Sequence, residues 1–312
     1  MATVSGALAL ALLVAPIPQV EVRVPGPAGV LAGTLTLPSQ GRPPFPAVVT
    51  LTGSGPHLRD GNHTGEPDYR PFREIAERLA GCGVATLRLD DRGAGGSAGD
   101  ADAATAEDTA ADTRAALDFL RGRRDVDARR LGLVGHSYGG EIAPMVAAED
   151  PSLAAVVLLA GPGRTFRDTM RYQLRYRIEN DPTIPARDRD AVLADAMRQQ
   201  QKNVEASTAA WRRSIEDRDP LPTARRLRMP VLILHGLTDR AVDPEDAGLL
   251  ERAIREGGNP KVEVRLFPGV NHHFQHDPVG AREGYQKLPT QDLAPEVLDA
   301  LCSWLGATLA RR

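Results

Sequence analysis

From residue 19 onward, short apolar runs rich in β-branched residues alternate with stretches of helical character. This alternation restricts the chain to βα units laid on a mostly parallel sheet. Residues 19–24 and 30–37 read as an opening antiparallel pair. Runs at 47–51, 84–89, 131–134, 154–159, 231–234 and 262–267 follow, each continuously apolar or nearly so, as strands covered on both faces must be. The spacing thus predicts about eight strands, with helices over 71–80, 106–120, 138–148, 244–256 and 294–309. Pro244 after Asp243 has the order of a first-turn proline after an N-cap.

One stretch breaks the rhythm. Residues 164–225 contain no strand run, and Phe166, Met170, Leu174 and Ile178 recur every four residues as one helical ridge. The stretch reads as a helical insertion in a catalytic domain spanning 20–312, set as a lid over the carboxyl ends of the strands, where such sheets bind ligands. It carries Phe166, Tyr172, Tyr176 and Trp211. With Met170 or Met197, these aromatics are expected either to line an apolar acyl or aryl site or to anchor the insertion to the core. Arg164, Arg167, Arg171 and Arg175 recur at helical spacing and read as a solvated helix face.

Composition removes whole classes of function. Hydrophobic residues at 42% and charged residues at 25% exclude a mostly disordered, collagen-like or multispanning chain. A net charge of −3 gives no broad attraction to nucleic acid or an anionic membrane, so the expected partner is a small molecule. Nothing in the composition speaks to oligomeric state. Cys82 and Cys302 form no metal or redox spacing and are expected to be buried free thiols, without a disulfide. Residues 6–15 are apolar but too short to span a bilayer, and they lack a basic start. Residues 1–19 therefore read as an export signal or as an apolar extension, which leaves cytoplasmic and exported locations both open.

The chemistry is concentrated in Gly135-His136-Ser137-Tyr138-Gly139, a G-x-S-x-G that follows a strand and opens a helix. In that context the serine sits on a sharp turn with its Oγ exposed above the sheet. A serine hydroxyl needs a base within hydrogen-bond reach and a carboxylate that fixes the base's tautomer, and on such a sheet they follow in the order acid, then histidine. Asp239 is the first carboxylate after the 231–234 run, whereas Asp243 is committed to capping the next helix. The 262–267 run is followed by Pro268-Gly269-Val270-Asn271-His272-His273, with two candidate bases. An oxyanion needs two donors: the Tyr138 N–H directly after the nucleophile, and the Ser54 N–H in the glycine-rich loop Thr52-Gly53-Ser54-Gly55-Pro56. His276 beside His272 and His273 completes no metal-ligand set, and no cofactor is called for.

These blocks resemble a bacterial α/β-hydrolase of the serine carboxylesterase type, similar to dienelactone hydrolase-like and acyl-CoA thioesterase-like groups. The resemblance runs in order through Thr52–Pro56 with Arg59-Asp60-Gly61, Asp90-Asp91-Arg92-Gly93 with Gly95 and Ser97, the nucleophile motif with Ile142-Ala143-Pro144, and Gly269-x-Asn271-His272-x-Phe274. It implies Ser137, Asp239 and His272 as the triad, with His272 rather than His273 as base, and carboxylic ester hydrolysis through an acyl-enzyme. Thioester, peptide or acyl-transfer chemistry, and a non-hydrolytic cyclase-like reaction, remain open on the same triad. Two positions depart from the group. Tyr138 replaces an acidic residue, and His57-Leu58 replaces Gln-Asp, which makes His57 a candidate substrate contact. The loop at Asp91–Ser97 is glycine-rich but lacks the lysine of a phosphate loop and reads as an arginine-anchored turn.

Overall fold

The computed structural model describes residues 16–310, so the apolar run at 6–15 lies outside the described residues. The strands are β1 (Gln19–Gly26), β2 (Gly29–Thr36), β3 (Phe45–Leu51), β4 (Ala85–Leu89), β5 (Val126–His136), β6 (Ala155–Leu159), β7 (Val231–Gly236) and β8 (Val262–Phe267). They form one sheet in the order β1-β2-β4-β3-β5-β6-β7-β8. β2 pairs antiparallel with both β1 and β4, and every other pairing is parallel. β5 starts five residues earlier than its apolar run. After buried Val126 the rest of its opening half, residues 127–130, is mostly polar and partly exposed, so apolarity alone does not reveal it.

Helices cover both faces, and the strands show it in their side chains. Val156 and Leu158 of β6 join a core cluster with α2 (Ala106–Arg121), α3 (Tyr138–Ala147) and α8 (Glu245–Glu256), while Val157 and Leu159 join the opposite cluster with α1 (Pro71–Gly81) and α9 (Pro295–Thr308). This period-two division of an all-apolar run is what a doubly covered strand requires. At the start of α2, a capping box between Thr105 and Asp108 satisfies first-turn N–H groups. Pro244, not Asp243, occupies the N-cap of α8, one residue later than expected, while Asp243 Oδ1 still accepts the Glu245 N–H at 3.0 Å.

Cys82 and Cys302, expected as free thiols, are joined in a disulfide with Cα atoms 5.8 Å apart. The pairing spans 220 residues and arises because α1 and α9 pack side by side on one face. Sequence spacing carries no trace of such a contact.

Between β6 and β7 the chain forms α4 (Phe166–Glu179), α5 (Arg189–Glu205), α6 (Ala210–Ile215) and α7 (Leu221–Ala224), with no strand among them. Trp211 and Ile215 root this segment in the α2/α3/α8 core. Arg171 and Arg175 are exposed on α4, as their spacing suggests, whereas two arginines near its start are held in ion pairs. Arg164 pairs with Asp243 at 2.8 Å and Asp246 at 2.5 Å, and Arg167 pairs with Asp217 at 2.7 Å.

Candidate active site

β5 ends at His136 and α3 begins at Tyr138, with Ser137 between them at φ 54° and ψ −116°. An L-residue in this region carries a backbone cost of about 1–2 kcal/mol, which the surrounding packing must hold in place. The motif glycines supply the room. A Cβ on Gly135 would run into the Gly139 carbonyl oxygen, and one on Gly139 into the carbonyl oxygens of Leu51 and Thr52. Ser137 makes no side-chain cap bond to its helix. Its Oγ lies 3.0 Å from His272 Nε2 instead.

His272 Nδ1 lies 2.7 Å from Asp239 Oδ2. Asp239 is fully buried at the end of β7 and has four donors. Its Oδ1 accepts the N–H groups of Ala241 at 2.7 Å and Val242 at 2.9 Å, and its Oδ2 also meets His235 Nε2 at 3.1 Å. Burial alone would push this carboxyl up, but His272 and His235 together hold it well below the usual carboxylate range. A carboxylate against Nδ1 fixes the proton there and leaves Nε2 as the acceptor for the Ser137 hydroxyl.

The loop after β8 aims His272 and turns His273 away. Buried Asn271 holds the bend, its Oδ1 accepting the N–H groups of His273 at 2.9 Å and Gln275 at 3.0 Å. His273 stacks on Tyr69 with ring centroids 4.2 Å apart, and the Tyr69 hydroxyl donates to the His273 carbonyl at 3.0 Å. Burial and the neighbouring His272 push the His273 imidazole well below its ordinary pKa. His136 is pushed down to about 3, first by burial and then by His272, and its Nε2 lies 2.9 Å from the His272 carbonyl oxygen. His276 faces Glu296 at 3.4 Å, away from the other two histidines of its loop.

Two backbone N–H groups, on Tyr138 and Ser54, belong to residues that line the same cavity as Ser137. The Tyr138 N–H opens α3, where first-turn N–H groups lack an intrahelical partner. The Ser54 N–H is bonded to no acceptor among the described residues. Its loop is pinned from both sides. Thr52 Oγ1 at 2.7 Å and the His57 N–H at 2.9 Å donate to Asp91 Oδ2, while the Thr52 carbonyl accepts the Gly139 N–H at 2.9 Å. Arg92 turns away to bind Asp112 at 2.8 Å and Asp108 at 3.0 Å, which is the arginine-anchored turn the sequence suggests.

Ser137 opens into a cavity of about 600 Å³ between the sheet edge and the inserted helices. Of the four candidate substrate contacts, His57 and Trp211 line it. His57 Nδ1 sits 2.8 Å from the Gly55 carbonyl; burial opposes its charging, but Asp91 and Gly55 keep its pKa raised. Tyr172 and Tyr176 are not among the lining residues. The Tyr172 hydroxyl donates to the Asp239 carbonyl, and the Arg240 guanidinium lies over the Tyr176 ring at 5.0 Å. The face of α4 that lines the cavity carries Phe166, Thr169, Met170 and Gln173, a set defined by helical phase and not by aromatic content. Trp211 packs at 5.3 Å from the Tyr138 ring and 5.7 Å from Phe166, forming a continuous wall beside Ser137. Two further residues support the site: Asp91 holds the Thr52–His57 loop, and His235, which the sequence places beside the site as a packing or hydrogen-bonding residue, meets Asp239.

Residues 63–279 match the family model described as serine aminopeptidase, S33. Among curated proteins, esterase EstD of Thermotoga maritima is 27% identical over 278 residues, covering 88% of this chain and 65% of that protein. The chain thus spans just under two thirds of the length of the first curated relatives it matches. Among solved structures, Est1E of Butyrivibrio proteoclasticus with ferulic acid bound aligns with a TM-score of 0.63 at 19% identity, over 93% of this chain and 100% of that one. A putative dienelactone hydrolase from Klebsiella pneumoniae aligns with a TM-score of 0.60 at 17% identity, over 95% and 100% of the two chains. With its doubly covered sheet and strained serine turn, the chain belongs to the serine aminopeptidase S33 family and has the α/β-hydrolase fold.

Proposed function

We propose that the protein is a serine hydrolase of carboxylic esters, working through an acyl-enzyme. The observation that carries this reading is the unbroken chain from Ser137 Oγ to His272 Nε2 at 3.0 Å and from His272 Nδ1 to Asp239 at 2.7 Å, at the floor of an open cavity. Ser137 Oγ attacks the ester carbonyl as its proton passes to His272 Nε2, and buried Asp239 stabilises the imidazolium. The N–H groups of Tyr138 and Ser54 hold the developing oxyanion. His272 returns the proton to the leaving alcohol, and water then releases the acid by the same steps in reverse order. The helices at 164–225 act as a lid on one domain spanning 20–312, excluding water and shaping the acyl site. The similarity to esterase EstD supports ester over amide cleavage.

A second reading, amide or peptide cleavage, is favoured by the family model alone. Hydrolysis of short and medium p-nitrophenyl esters by the wild type and by Ser137→Ala tests the first. Turnover that disappears in Ser137→Ala, with fluorophosphonate labelling of the wild type, is the expected result. Absence of both turnover and labelling overturns it. Competition by acyl-CoA thioesters and aminoacyl p-nitroanilides then identifies the preferred leaving group.

A further inference from the structure

Asp239 serves two imidazoles with one oxygen. Its Oδ2 lies 2.7 Å from His272 Nδ1 and 3.1 Å from His235 Nε2. His235 stands last but one in β7, and both it and Asp239 are fully buried. The same Nε2 lies 3.2 Å from the Val242 carbonyl oxygen. A carbonyl and an ionised carboxyl can only accept, so a nitrogen within reach of both carries a hydrogen. Nδ1 of this ring is buried with no hydrogen-bond partner among the described residues, which leaves Nε2 as the atom through which the ring acts.

Two donors on one oxygen compete. During acyl transfer His272 takes up a proton, and the charge of Asp239 left free for Nδ1 stabilises the imidazolium. The hydrogen that His235 holds beside Oδ2 draws on that same charge and weakens the carboxylate as a partner for His272. The groups facing His235 give this effect its sign. Burial opposes a charge on the ring, but Asp239 on its own loop and Asp246 on α8 outweigh it and raise its pKa. Asp246 is itself held by the Gly163 N–H at 2.9 Å and by Arg164 at 2.5 Å. With one proton or with two, the ring presents an N–H to Asp239, so its pull has the same direction in both states.

We propose that His235 is a positioning residue for the reaction: it fixes Asp239 Oδ2 and restrains how strongly Asp239 favours a proton on His272, which keeps Ser137 active at lower pH than the three residues alone would allow. The proposal rests on the ester-hydrolase reading and adds to it the group that sets the acid limb of the rate profile. The backbone N–H groups of Ala241 and Val242 hold Oδ1, so His235 completes the fixing of the carboxylate at its second oxygen.

The test follows kcat/KM for p-nitrophenyl esters against pH in the wild type, His235→Leu and His235→Gln. Leucine removes the N–H and leaves Asp239 a stronger partner for the imidazolium, so His272 releases its proton only at higher pH. The acid limb should move up by about 0.5–1 pH unit and the plateau should fall roughly 10- to 100-fold. Glutamine places an amide N–H where Nε2 stood and should keep the limb within about 0.3 pH unit of the wild type. A plateau that falls while the limb of His235→Leu stays in place would mean a purely structural brace and overturns the proposal, as does a His235→Gln enzyme that behaves like His235→Leu. Nitrogen NMR of the wild type with isotope-labelled histidine needs neither a substrate nor a stable leucine variant. The resonances lost in His235→Gln should belong to a ring protonated at Nε2 at neutral and alkaline pH, and a ring protonated only at Nδ1 overturns the proposal. Absence of both ester turnover and fluorophosphonate labelling counts against the hydrolase reading alone, because the NMR spectrum still reads His235.

Discussion

The Tyr172 hydroxyl donates a 2.8 Å hydrogen bond to the carbonyl oxygen of Asp239, so a helix of the inserted segment holds the backbone of the residue that orients His272. Gln173 repeats the attachment two residues on, donating to the Ala241 carbonyl at 2.8 Å. Tyr172→Phe removes one of these ties and leaves the ring in place. Ester kcat/KM is expected to fall roughly 3- to 10-fold and the Tm to drop by about 1–2 °C, as loss of one neutral hydrogen bond implies. Steady-state kinetics and a thermal melt check both, and unchanged kinetics would show that the tie is structural only.

The two adjacent histidines separate by consequence. His272→Ala should lose activity on the order of 10⁴- to 10⁶-fold with little change in Tm, as should Ser137→Ala. Asp239→Asn should lose about 10³- to 10⁴-fold by favouring the wrong tautomer. His273→Ala should do the opposite. It removes the stacking partner of Tyr69 and lowers the Tm, while activity per folded molecule stays within about ten-fold. A His273→Ala enzyme as inactive as His272→Ala would dismiss the assignment of the base.

Stability should peak in mildly acidic solution. Glu141, Glu74 and Asp246 are raised by burial to about 8, 7 and 6. Each stays protonated in the folded protein after the unfolded chain has released its proton, so their contribution is complete below about pH 4 and is lost as pH rises through those values. His136 and His273 are depressed, so their contribution is complete above about pH 6.5 and is lost as pH falls below it. Melting temperatures across pH 4–9 should therefore pass through a maximum at about pH 5 and fall on the alkaline side. Glu141→Gln should flatten the alkaline limb; a limb of unchanged slope would mean that Glu141 titrates normally.

The cross-link between α1 and α9 closes a loop of 220 residues and lies on the helical layer opposite α3. Reduction, or Cys302→Ser, is expected to lower the Tm by about 3–6 °C, corresponding to roughly 2–4 kcal/mol, with kcat/KM unchanged once folded. Melts with and without a reductant measure this directly.

The strands, the five core helices and the order of the catalytic blocks were legible because buried strands must be apolar and a serine elbow must be glycine-flanked. Asp239 was legible as the first carboxylate past β7. Other features depend on facts that no local pattern contains. Tyr172 and Tyr176 looked like pocket aromatics, but helix phase sends them to Asp239 and Arg240 and brings Thr169 and Met170 to the cavity. The disulfide depends on two distant helices becoming neighbours. His235 shares Asp239 with His272 because of how the acid loop folds back onto β7.

Among the described residues, three non-glycine residues have positive φ: Ser137 after β5, Ala160 after β6 and Phe274 in the loop past β8. All three stand at the same rim of the sheet, within or beside the loops that converge on the nucleophile. Each contorted peptide unit costs about 1–3 kcal/mol against a relaxed one. The fold is therefore less robust than its interior packing alone would allow, and that shortfall is gathered at the rim around Ser137. Heat should loosen this edge before the helical layers behind it, so the capacity to react would vanish ahead of the fold itself.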